Sequence, residues 1–392
     1  MPTKAPSISS SGSSTDSLRV CHISTVHPET DVRIVTRECR SLVHAGYEVH
    51  LVIPAKESEL RDGIHIHAIR SVKNRILRML LMPWIAARAA LRTKAAIYHY
   101  HDPELLLMGF LLRWVFARKV VFDIHESVPR QIMSKAYLPR ITRRVISTAY
   151  RLVERFLIAG QSIVIANENC MSDYPRRSHL VRNYPLLDDK AIRSARTVSQ
   201  RGTVPLLVYV GGVAHIRGAE VYMALARQLT SRGHDFRMHI IGPYPPAYGR
   251  RLETLRNEWG LNHNVELHGR MDWVEAMQFA MRATIGLCLL LPVPNYTVCL
   301  ATKIIEYMMV GTPVLASNFD VWRPYVEGEG VGMLANPSDI QEVTDVCEAM
   351  LTAPERLDEM GRRGMQAVRE KYNWSPEFAQ LLRCYARLRK EQ

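Results

Sequence analysis

The sequence predicts an α/β protein with two doubly wound parallel sheets, and three observations support that prediction. From Leu18 onward, short β-branched runs alternate with amphipathic stretches of helical length, which is the pattern of successive βαβ units. The alternation is interrupted once, by a polar stretch at 186–202, and then resumes. The length of 392 residues gives each half enough chain for its own core. We therefore expect two Rossmann-like domains that face each other.

The first half contains six apolar runs of strand length and four stretches of helical periodicity. The predicted strands are 19–24, 48–53, 64–69, 96–101, 119–124 and 162–166. The predicted helices are 31–45, 75–91, 103–116 and 141–159.

The second half repeats the alternation. Its predicted strands are 206–210, 237–241, 265–268, 284–290, 313–316 and 332–334. Its helices are predicted to begin near Gly218, Ala247, Trp273, Thr302 and Ser338. At 372–392 the pattern predicts a last helix, with Ser375 as the N-cap and Pro376 at the first helical position.

These patterns divide the chain into five predicted parts. Residues 1–17 are rich in Ser, Thr and Gly without an apolar stretch, so we expect a disordered tail that is neither a signal peptide nor an anchor. The first domain is predicted at 18–186, a linker at 187–203 and the second domain at 204–374. The last helix occupies 375–392.

Composition limits the function classes. A net charge of +13 and a pI of about 9.5 favour an anionic partner, which can be nucleic acid, acidic lipid or a phosphorylated ligand. No apolar run is long enough to span a bilayer. The seven cysteines show no metal-ligand spacing, and their odd number suits a reducing cytoplasm.

The segment 301–317, ATKIIEYMMVGTPVLAS, is the most informative string. It predicts a helix that ends at Gly311 and leads into a strand buried on both faces. Lys303 lies in the first turn, where the helix dipole disfavours a cation unless an anion also binds there. Glu306 shares its face and can accept hydrogen bonds from ribose hydroxyls. The alternative is an ordinary surface ion pair on a packing helix.

Polar residues follow two strands of the first half. His101, Asp102 and Glu104 follow one strand, and His125 follows the next. In open α/β sheets, ligands bind beyond the carboxyl ends of the strands, so we expect these side chains to converge in a crevice. The alternatives are that Asp102 is a helix N-cap before Pro103 and that His125 is a satisfied, partly buried histidine.

Three further segments contain residues that can bind an anion. In the first strand-to-helix turn of the second half, Gly211 and Gly212 allow close backbone approach and Arg217 supplies a cation; the alternative is a plain turn with a surface Arg. After the first strand, Asp31 fits an N-cap or an acceptor contact, and Arg33 faces an unfavourable dipole. The stretches 70–94 and 141–160 mix arginines with apolar residues, which suits an anionic membrane surface or amphipathic core helices with solvated basic faces.

These strings resemble the retaining GT-B glycosyltransferases of the group-1 family, which contains glycogen synthase and bacterial mannosyltransferases. HDPEL at 101–105, DIHE at 123–126 and KIIEYM at 303–308 are similar to a bacterial subgroup. The resemblance covers essentially residues 18–392. It implies a GT-B fold with an interdomain crevice, an acceptor-binding first domain and a nucleotide-sugar-binding second domain. It also implies a last helix that crosses back to the first domain.

The resemblance also implies roles for individual residues. Glu306 matches the glutamate that holds the nucleotide ribose, and Lys303 and Arg217 with the Gly211–Gly212 turn would hold the diphosphate. His125 matches a histidine that meets the transferred sugar. Asp102 matches an Asp of the preceding strand end, and His101 precedes it as a third candidate catalytic residue. Asp31, Arg33 and Glu126 would lie on the acceptor side.

The sequence departs from the family pattern at two positions. Gly212 stands where the family has an Arg, and Val298 stands where many members have a Glu that touches the donor sugar. Asn295, Thr297 and Thr302 are candidate substitutes for that acid. No Asp-x-Asp metal site is evident, so we expect no metal and no cofactor, with positive charge and helix N-termini stabilising the leaving diphosphate.

The function implied is retaining transfer from a UDP- or GDP-sugar to a glycan or polyprenyl-diphosphate-linked acceptor. The expected setting is bacterial surface-polysaccharide synthesis in the cytoplasm, at the inner face of the cell membrane. One alternative is a GT-B nucleotide-sugar epimerase, which needs no acceptor. The other is a non-catalytic basic protein that binds nucleic acid, but the chain has no such motif and only 8% aromatic residues.

Overall fold

The computed structural model describes residues 18–70, 72, 74–125, 127–133, 138–174, 177–187 and 202–390. The predicted tail at 1–17 and most of the predicted linker lie outside these ranges, as does Glu126.

The first sheet has eight strands. They are β1 Arg19–Ile23, β2 Glu48–Pro54, β3 Glu59–Arg61, β4 Ile64–Ile69, β5 Ile97–Tyr100, β6 Lys119–Ile124, β7 Ser162–Ile165 and β8 Ser178–Leu180. Their order is β3-β4-β2-β1-β5-β6-β7-β8, and β3 is antiparallel to β4. In the β1–β5 register, His22 lies opposite His99.

The second sheet has six strands. They are β9 Leu206–Val210, β10 Arg237–Ile241, β11 Val265–Gly269, β12 Ile285–Cys288, β13 Val314–Ser317 and β14 Gly332–Ala335. Their order is β11-β10-β9-β12-β13-β14, with parallel pairing throughout. The order reverses beside β9, so the turn after β9 lies at the switch point where open α/β sheets bind ligands.

Helices connect these strands. In the first half they are α1 Arg40–His44, α2 Arg75–Arg92, α3 Leu106–Trp114, α4 Val128–Met133 and α5 Arg140–Leu157. A π-helix, Val32–Cys39, precedes α1, and a 3-10 turn, Pro103–Leu105, precedes α3. In the second half they are α6 Ala219–Ser231, α7 Pro246–Glu258, α8 Trp273–Arg282, α9 Thr302–Met309, α10 Arg323–Val326, α11 Ile340–Leu351, α12 Pro354–Glu370 and α13 Trp374–Lys390.

The two halves of the 301–317 segment form the centre of the second sheet's core. Ile304, Ile305 and Met308 of α9 are buried, and so are Val314 and Leu315 of β13. Gly311 ends the helix at φ +75°, a backbone conformation that glycine adopts at little cost. The predicted helix, glycine stop and buried strand are therefore confirmed.

By compactness the chain divides into two units, Met1–Phe122 with Leu157–Gln161, and Asp123–Phe156 with Ser162–Gln392. The division passes through β6 and does not follow the two sheets. The domain boundaries predicted from the sequence follow the sheets, and they stay a prediction. Within the second unit, α13 packs against β7 and β8, and Glu377 accepts a hydrogen bond from the backbone N–H of Arg182 at 2.7 Å.

The cap predicted for the last helix was wrong by two residues. The helix begins at Trp374, and the side chain of Asn373 accepts a hydrogen bond from the backbone N–H of Ser375 at 3.1 Å. Asn373 therefore does what was predicted for Ser375, and Pro376 lies inside the first turn, where its missing N–H costs no helical hydrogen bond. None of the described helices is both long enough and apolar enough to cross a membrane.

Candidate functional site

The turn after β9 brings two backbone segments into close contact. Gly211 has φ +145°, and the Cβ of any larger residue at position 242 would lie 1.8 Å from the Gly211 carbonyl oxygen. The two glycines therefore allow the chain after β9 and the chain after β10 to touch. Gly212 continues the turn, and its carbonyl accepts a hydrogen bond from the Tyr209 hydroxyl at 2.8 Å. This exposes a glycine backbone at the switch point of the sheet.

Two helices start beside this turn without a capping side chain. Gly218 is the N-cap of α6, with φ +81° and no room for a Cβ, which would lie 1.9 Å from the Leu289 carbonyl oxygen. Ala301 is the N-cap of α9 and cannot accept a hydrogen bond through its side chain. The first N–H groups of a helix attract anions when no side chain satisfies them. The start of α9, which has no carboxylate in its first turn, can therefore bind an anionic group, whereas Glu220 already places a carboxylate in the first turn of α6.

Two cations lie against the glycine turn. A Cβ built on Gly211 would lie 3.3 Å from the Lys303 ammonium, and one built on Gly212 would lie 3.3 Å from a terminal nitrogen of Arg217. Lys303 is 8% exposed, and its ammonium lies 5.4 Å from the centre of the Tyr209 ring. A buried lysine is rare unless something compensates its charge.

The charge of Lys303 is maintained despite burial. Desolvation and the nearby Arg217 disfavour the ammonium form, but Tyr209, Cys288 and Glu306 together outweigh them and raise the pKa of Lys303 above the ordinary lysine value. Arginine remains charged in any protein environment. The turn is therefore bordered by two permanent positive charges, an arrangement that suits a diphosphate.

Glu306 lies one turn further along α9 and is partly exposed. Its carboxylate accepts a hydrogen bond from the Trp273 indole N–H at 3.4 Å. Sequence reasoning identified the glutamate but missed the tryptophan, because Trp273 starts a helix on a different connection, after β11. This hydrogen bond from the indole helps to fix the orientation of the Glu306 carboxylate.

The candidate substitutes for the family's missing acid lie between β12 and α9. Asn295 accepts a weak hydrogen bond from the Cys299 thiol at 3.6 Å, and the Thr297 hydroxyl donates to the Pro294 carbonyl at 3.5 Å. Thr302 is exposed at the first position of α9. The structure therefore places Thr302 next to Lys303, whereas Asn295 and Thr297 belong to a separate short turn.

Asp102, after β5, binds the loop that follows β1. One of its carboxylate oxygens accepts hydrogen bonds from the Ser24 hydroxyl at 2.8 Å and from the Thr25 backbone N–H at 2.5 Å. Asp102 occupies the N-cap position of the following 3-10 turn but makes no capping hydrogen bond there. Its carboxylate instead points to the loop after β1. The distance in sequence between the two segments gave no sign of this contact.

His27 links the two aspartates of the first unit. Its Nδ1 lies 2.8 Å from Asp31, and its Nε2 lies 3.5 Å from the second oxygen of Asp102. Asp31 also caps the π-helix by accepting the Ile34 N–H at 2.9 Å. His27 is a residue that sequence reasoning missed, because it lies in the loop before the π-helix, where residue spacing does not predict which side chains are neighbours.

The histidines predicted at the strand ends differ in exposure. His101 is 2% exposed, and its Nε2 lies 3.0 Å from Nδ1 of His22. His125 is partly exposed, and its Nε2 lies 3.1 Å from the carboxylate of the fully buried Asp123. A carboxylate paired with one ring nitrogen fixes the orientation of an imidazole. Asp123 was missed because it lies inside the buried strand β6.

Two family models match the chain in succession. The model for a Glycosyl transferase 4-like domain matches residues 32–186, and the model for Glycosyl transferases group 1 matches residues 204–353. The chain belongs to the group 1 glycosyltransferases. The glycine turn, Arg217, Lys303 and Glu306 of this glycosyltransferase all lie within the second match.

Similar proteins support the assignment. The glycosyltransferase is 24% identical over 291 residues to the alpha-D-kanosaminyltransferase of Streptomyces kanamyceticus, covering 70% of this chain and 72% of the relative. A sucrose-phosphate synthase from Thermosynechococcus elongatus has a similar structure, with TM-score 0.78 and 18% identity over 96% of this chain and 100% of that one. Anabaena Alr3699/HepE in complex with UDP-glucose has TM-score 0.71 and 12% identity, covering 94% of this chain and 100% of that one. The predicted fold class, two parallel-sheet α/β domains of the GT-B type, is confirmed.

Proposed function

We propose that this glycosyltransferase moves a sugar, with retention of anomeric configuration, from a UDP- or GDP-sugar to a glycan or polyprenyl-diphosphate-linked acceptor. The donor assignment depends mainly on one observation: two cations lie beside the Gly211–Gly212 turn, Lys303 next to Gly211 and Arg217 next to Gly212. The solved complex of the similar Anabaena protein with UDP-glucose supports a nucleotide-sugar donor.

The donor's diphosphate would lie over the glycine turn. There the uncapped start of α9 adds partial positive charge to that of the two side chains, whereas the Gly211 N–H already donates to the Ile241 carbonyl. Glu306 would accept hydrogen bonds from the ribose hydroxyls, one helical turn from Lys303. Asn295, Thr297 and Thr302 would contact the remaining part of the donor.

In this proposal the charge that develops on the leaving diphosphate is stabilised by Lys303 and Arg217. Preorganised charges in a water-poor site stabilise a transition state without reorganisation during the reaction. A donor phosphate oxygen would take the acceptor proton, so no protein nucleophile and no metal is needed at the diphosphate. His125, oriented by Asp123, would position the transferred sugar.

The acceptor would bind on the side of the first sheet. Asp31 and Asp102, joined through His27, form a hydrogen-bonded network in the loop after β1, and carboxylates of this kind accept hydrogen bonds from sugar hydroxyls. Arg33 is 4% exposed and pairs with Glu38 at 3.2 Å. Arg33 would therefore support this loop from inside. His101, equally buried, would support the strand end that carries Asp102.

A donor screen tests the proposed reaction against the epimerase alternative. Purified protein is incubated with UDP- and GDP-sugars, with and without a polyprenyl-diphosphate-linked acceptor, and the products are followed by NMR. We expect release of the nucleoside diphosphate. We also expect the new glycosidic linkage to have the same anomeric configuration as the donor. A nucleotide sugar epimerised without acceptor, or a product of inverted configuration, would contradict the proposal.

Helix α5 exposes its apolar side. Its buried residues include the polar Ser147 and Glu154, whereas Val145, Leu152 and Phe156 are 61%, 63% and 65% exposed. With Ile141 these apolar residues form one stripe at helical spacing. The exposed Arg144 and Arg155 flank this stripe. An exposed apolar stripe with flanking arginines suits an anionic lipid surface better than water.

Helix α2, in the other unit, has the same character. Its exposed side carries Leu80, Leu81, Trp84 and Ile85. Arg88 and Arg92 are exposed on the same helix. We propose that both helices dock on the anionic inner face of the cell membrane, where a lipid-linked acceptor for surface-polysaccharide synthesis would be available.

Docking predicts salt-sensitive binding to anionic vesicles. Each basic residue near such a surface contributes about 1 kcal/mol, and 1 M salt shortens the Debye length to about 3 Å. We expect co-sedimentation with phosphatidylglycerol vesicles at low salt, and little at high salt or with phosphatidylcholine. The test variant has four arginines of α2 and α5 changed to serine: Arg88, Arg92, Arg144 and Arg155.

A control variant loses the same charge elsewhere. Its serines replace four exposed arginines of the second sheet's helices: Arg250, Arg356, Arg362 and Arg369. We expect the test variant to lose most binding and the control variant to keep it. Equal losses would indicate a response to net charge alone, and equal binding to both vesicle types would argue for a soluble acceptor.

A further inference from the structure

Three buried histidines and one glutamate form a cluster beneath the loop that follows β1. His99 lies on β5 and His101 directly follows the end of that strand, two residues later, so both side chains point to the same face of the sheet. His22 lies opposite His99 in the β1–β5 register. Glu38 reaches the same face from the π-helix. All four side chains are 0% exposed.

The nitrogen atoms surround one carboxylate oxygen, and two of them, His22 Nδ1 and His101 Nε2, lie 3.0 Å apart, a contact that a bound cation would replace. Oε2 of Glu38 lies 3.6 Å from His22 Nδ1, 4.0 Å from His99 Nδ1 and 3.9 Å from His101 Nε2. These separations exceed the 2.7–3.2 Å range of hydrogen bonds. The ligand atoms of all four residues lie within 4.8 Å of one another. Two ligand atoms about 2.0–2.1 Å from a tetrahedral zinc ion lie about 3.3–3.4 Å apart, so the four side chains would draw closer together around the ion.

We propose that His22, Glu38, His99 and His101 bind a structural zinc ion. Three imidazoles and one carboxylate are ligands that zinc prefers, and four protein ligands leave no open position for a substrate. Arg33 binds the other oxygen of Glu38 at 3.2 Å, which fixes the carboxylate as outer-sphere partners of metal ligands do. The π-helix is a second indication, because this rare backbone form occurs frequently at functional sites.

The sequence did not reveal this site because its ligands come from positions 22, 38, 99 and 101, a spacing that no metal motif describes. The site also differs from the proposed diphosphate site, which needs no metal. Zinc would join β1, β5 and the π-helix, and would hold the loop that contains His27 and Asp31. Its expected role is to fix this loop and to stabilise the fold.

Metal analysis of the whole chain tests the proposal. A second cluster, His239, Glu266 and His268, lies at the surface of the second sheet and can bind zinc adventitiously. The experiment therefore starts from His268→Gln, which disables the surface cluster. Because the proposed site is buried, the protein is unfolded with a chelator and refolded with or without zinc. We expect about one zinc per chain after dialysis, and four-coordinate Co²⁺ absorption when cobalt replaces zinc.

Further variants assign the metal to its ligands. In the His268→Gln background, His99→Gln should lower bound zinc to about one tenth or less per chain. Refolding without zinc should lower the thermal midpoint of the His268→Gln protein, while zinc should not raise that of a folded His99→Gln variant. If His99→Gln fails to fold, the cobalt spectrum of the His268→Gln protein still decides the matter. Absence of bound zinc and of cobalt absorption in that protein, or full retention of zinc in a folded His99→Gln variant, would overturn the proposal.

Discussion

Replacing Lys303 with methionine is expected to lower kcat/KM by about a hundredfold to a thousandfold, the loss typical when a preorganised group that stabilises developing negative charge is removed. Methionine keeps the unbranched apolar stem that packs in this 8%-exposed position and removes only the charge. Because Lys303 would contact the diphosphate before and during the reaction, part of the loss should be in donor affinity. Steady-state kinetics at several donor concentrations separate the two contributions.

The chain offers a matched control for this change. Lys371 belongs to the same sheet domain, is 54% exposed and pairs with Glu329 at 2.9 Å. Lys371→Met removes the same charge from a lysine that pairs with Glu329, and should leave kcat/KM within about twofold, since exposed ion pairs contribute little. Similar losses in both lysine variants would mean that the effect of Lys303→Met is not local.

His125→Ala is expected to lower kcat by about a hundredfold or more while nucleotide affinity stays near that of the wild type. The reason is positional: His125 follows a strand of the first sheet, whereas the proposed diphosphate contacts all come from the second. Asp123→Asn should produce a smaller loss of the same kind, because it keeps the imidazole but weakens its orientation. Turnover and nucleotide titration on the same preparations give both quantities.

His234 provides the control for His125. It is a partly buried histidine that pairs with a carboxylate, Glu348, at 2.6 Å, on a different part of the fold. His234→Ala removes an imidazole–carboxylate pair that is not at the end of β5 or β6. The value of kcat should therefore be unchanged. Near-normal turnover in a folded His125→Ala variant would remove His125 from the proposed mechanism.

The elements that the sequence predicted well are those with strong periodicity and clear stop signals. All six strands of the second sheet were predicted within a few residues. The clearest were β12 and β13, because parallel strands buried on both faces appear as continuous apolar runs. The short strands β3 and β8, three residues each, were missed. Strands of that length contain too few residues to show a period, and they form because a neighbouring strand offers hydrogen bonds.

The candidate site was predictable where function depends on local sequence. The roles proposed for Lys303, Glu306 and the glycine turn each depend on the helix or turn that contains them, so their residue types were enough to suggest those roles. Asp102 was ambiguous because its actual partners, Ser24 and Thr25, lie almost eighty positions earlier in the chain. The π-helix could not be predicted, since its sequence satisfies the ordinary helical pattern and only packing selects the wider turn.

Calorimetric titration shows whether Lys303 and Arg217 bind the diphosphate of a nucleotide donor. UDP and GDP are each compared with the matching monophosphate, using wild type, Lys303→Met and Arg217→Met. A charge-assisted hydrogen bond contributes about 1.5–3 kcal/mol, or about one to two decades in affinity. We therefore predict that the wild type binds at least one diphosphate more tightly than its monophosphate, and that each variant loses most of that preference. Unchanged diphosphate affinity in both folded variants would mean that neither cation binds the diphosphate.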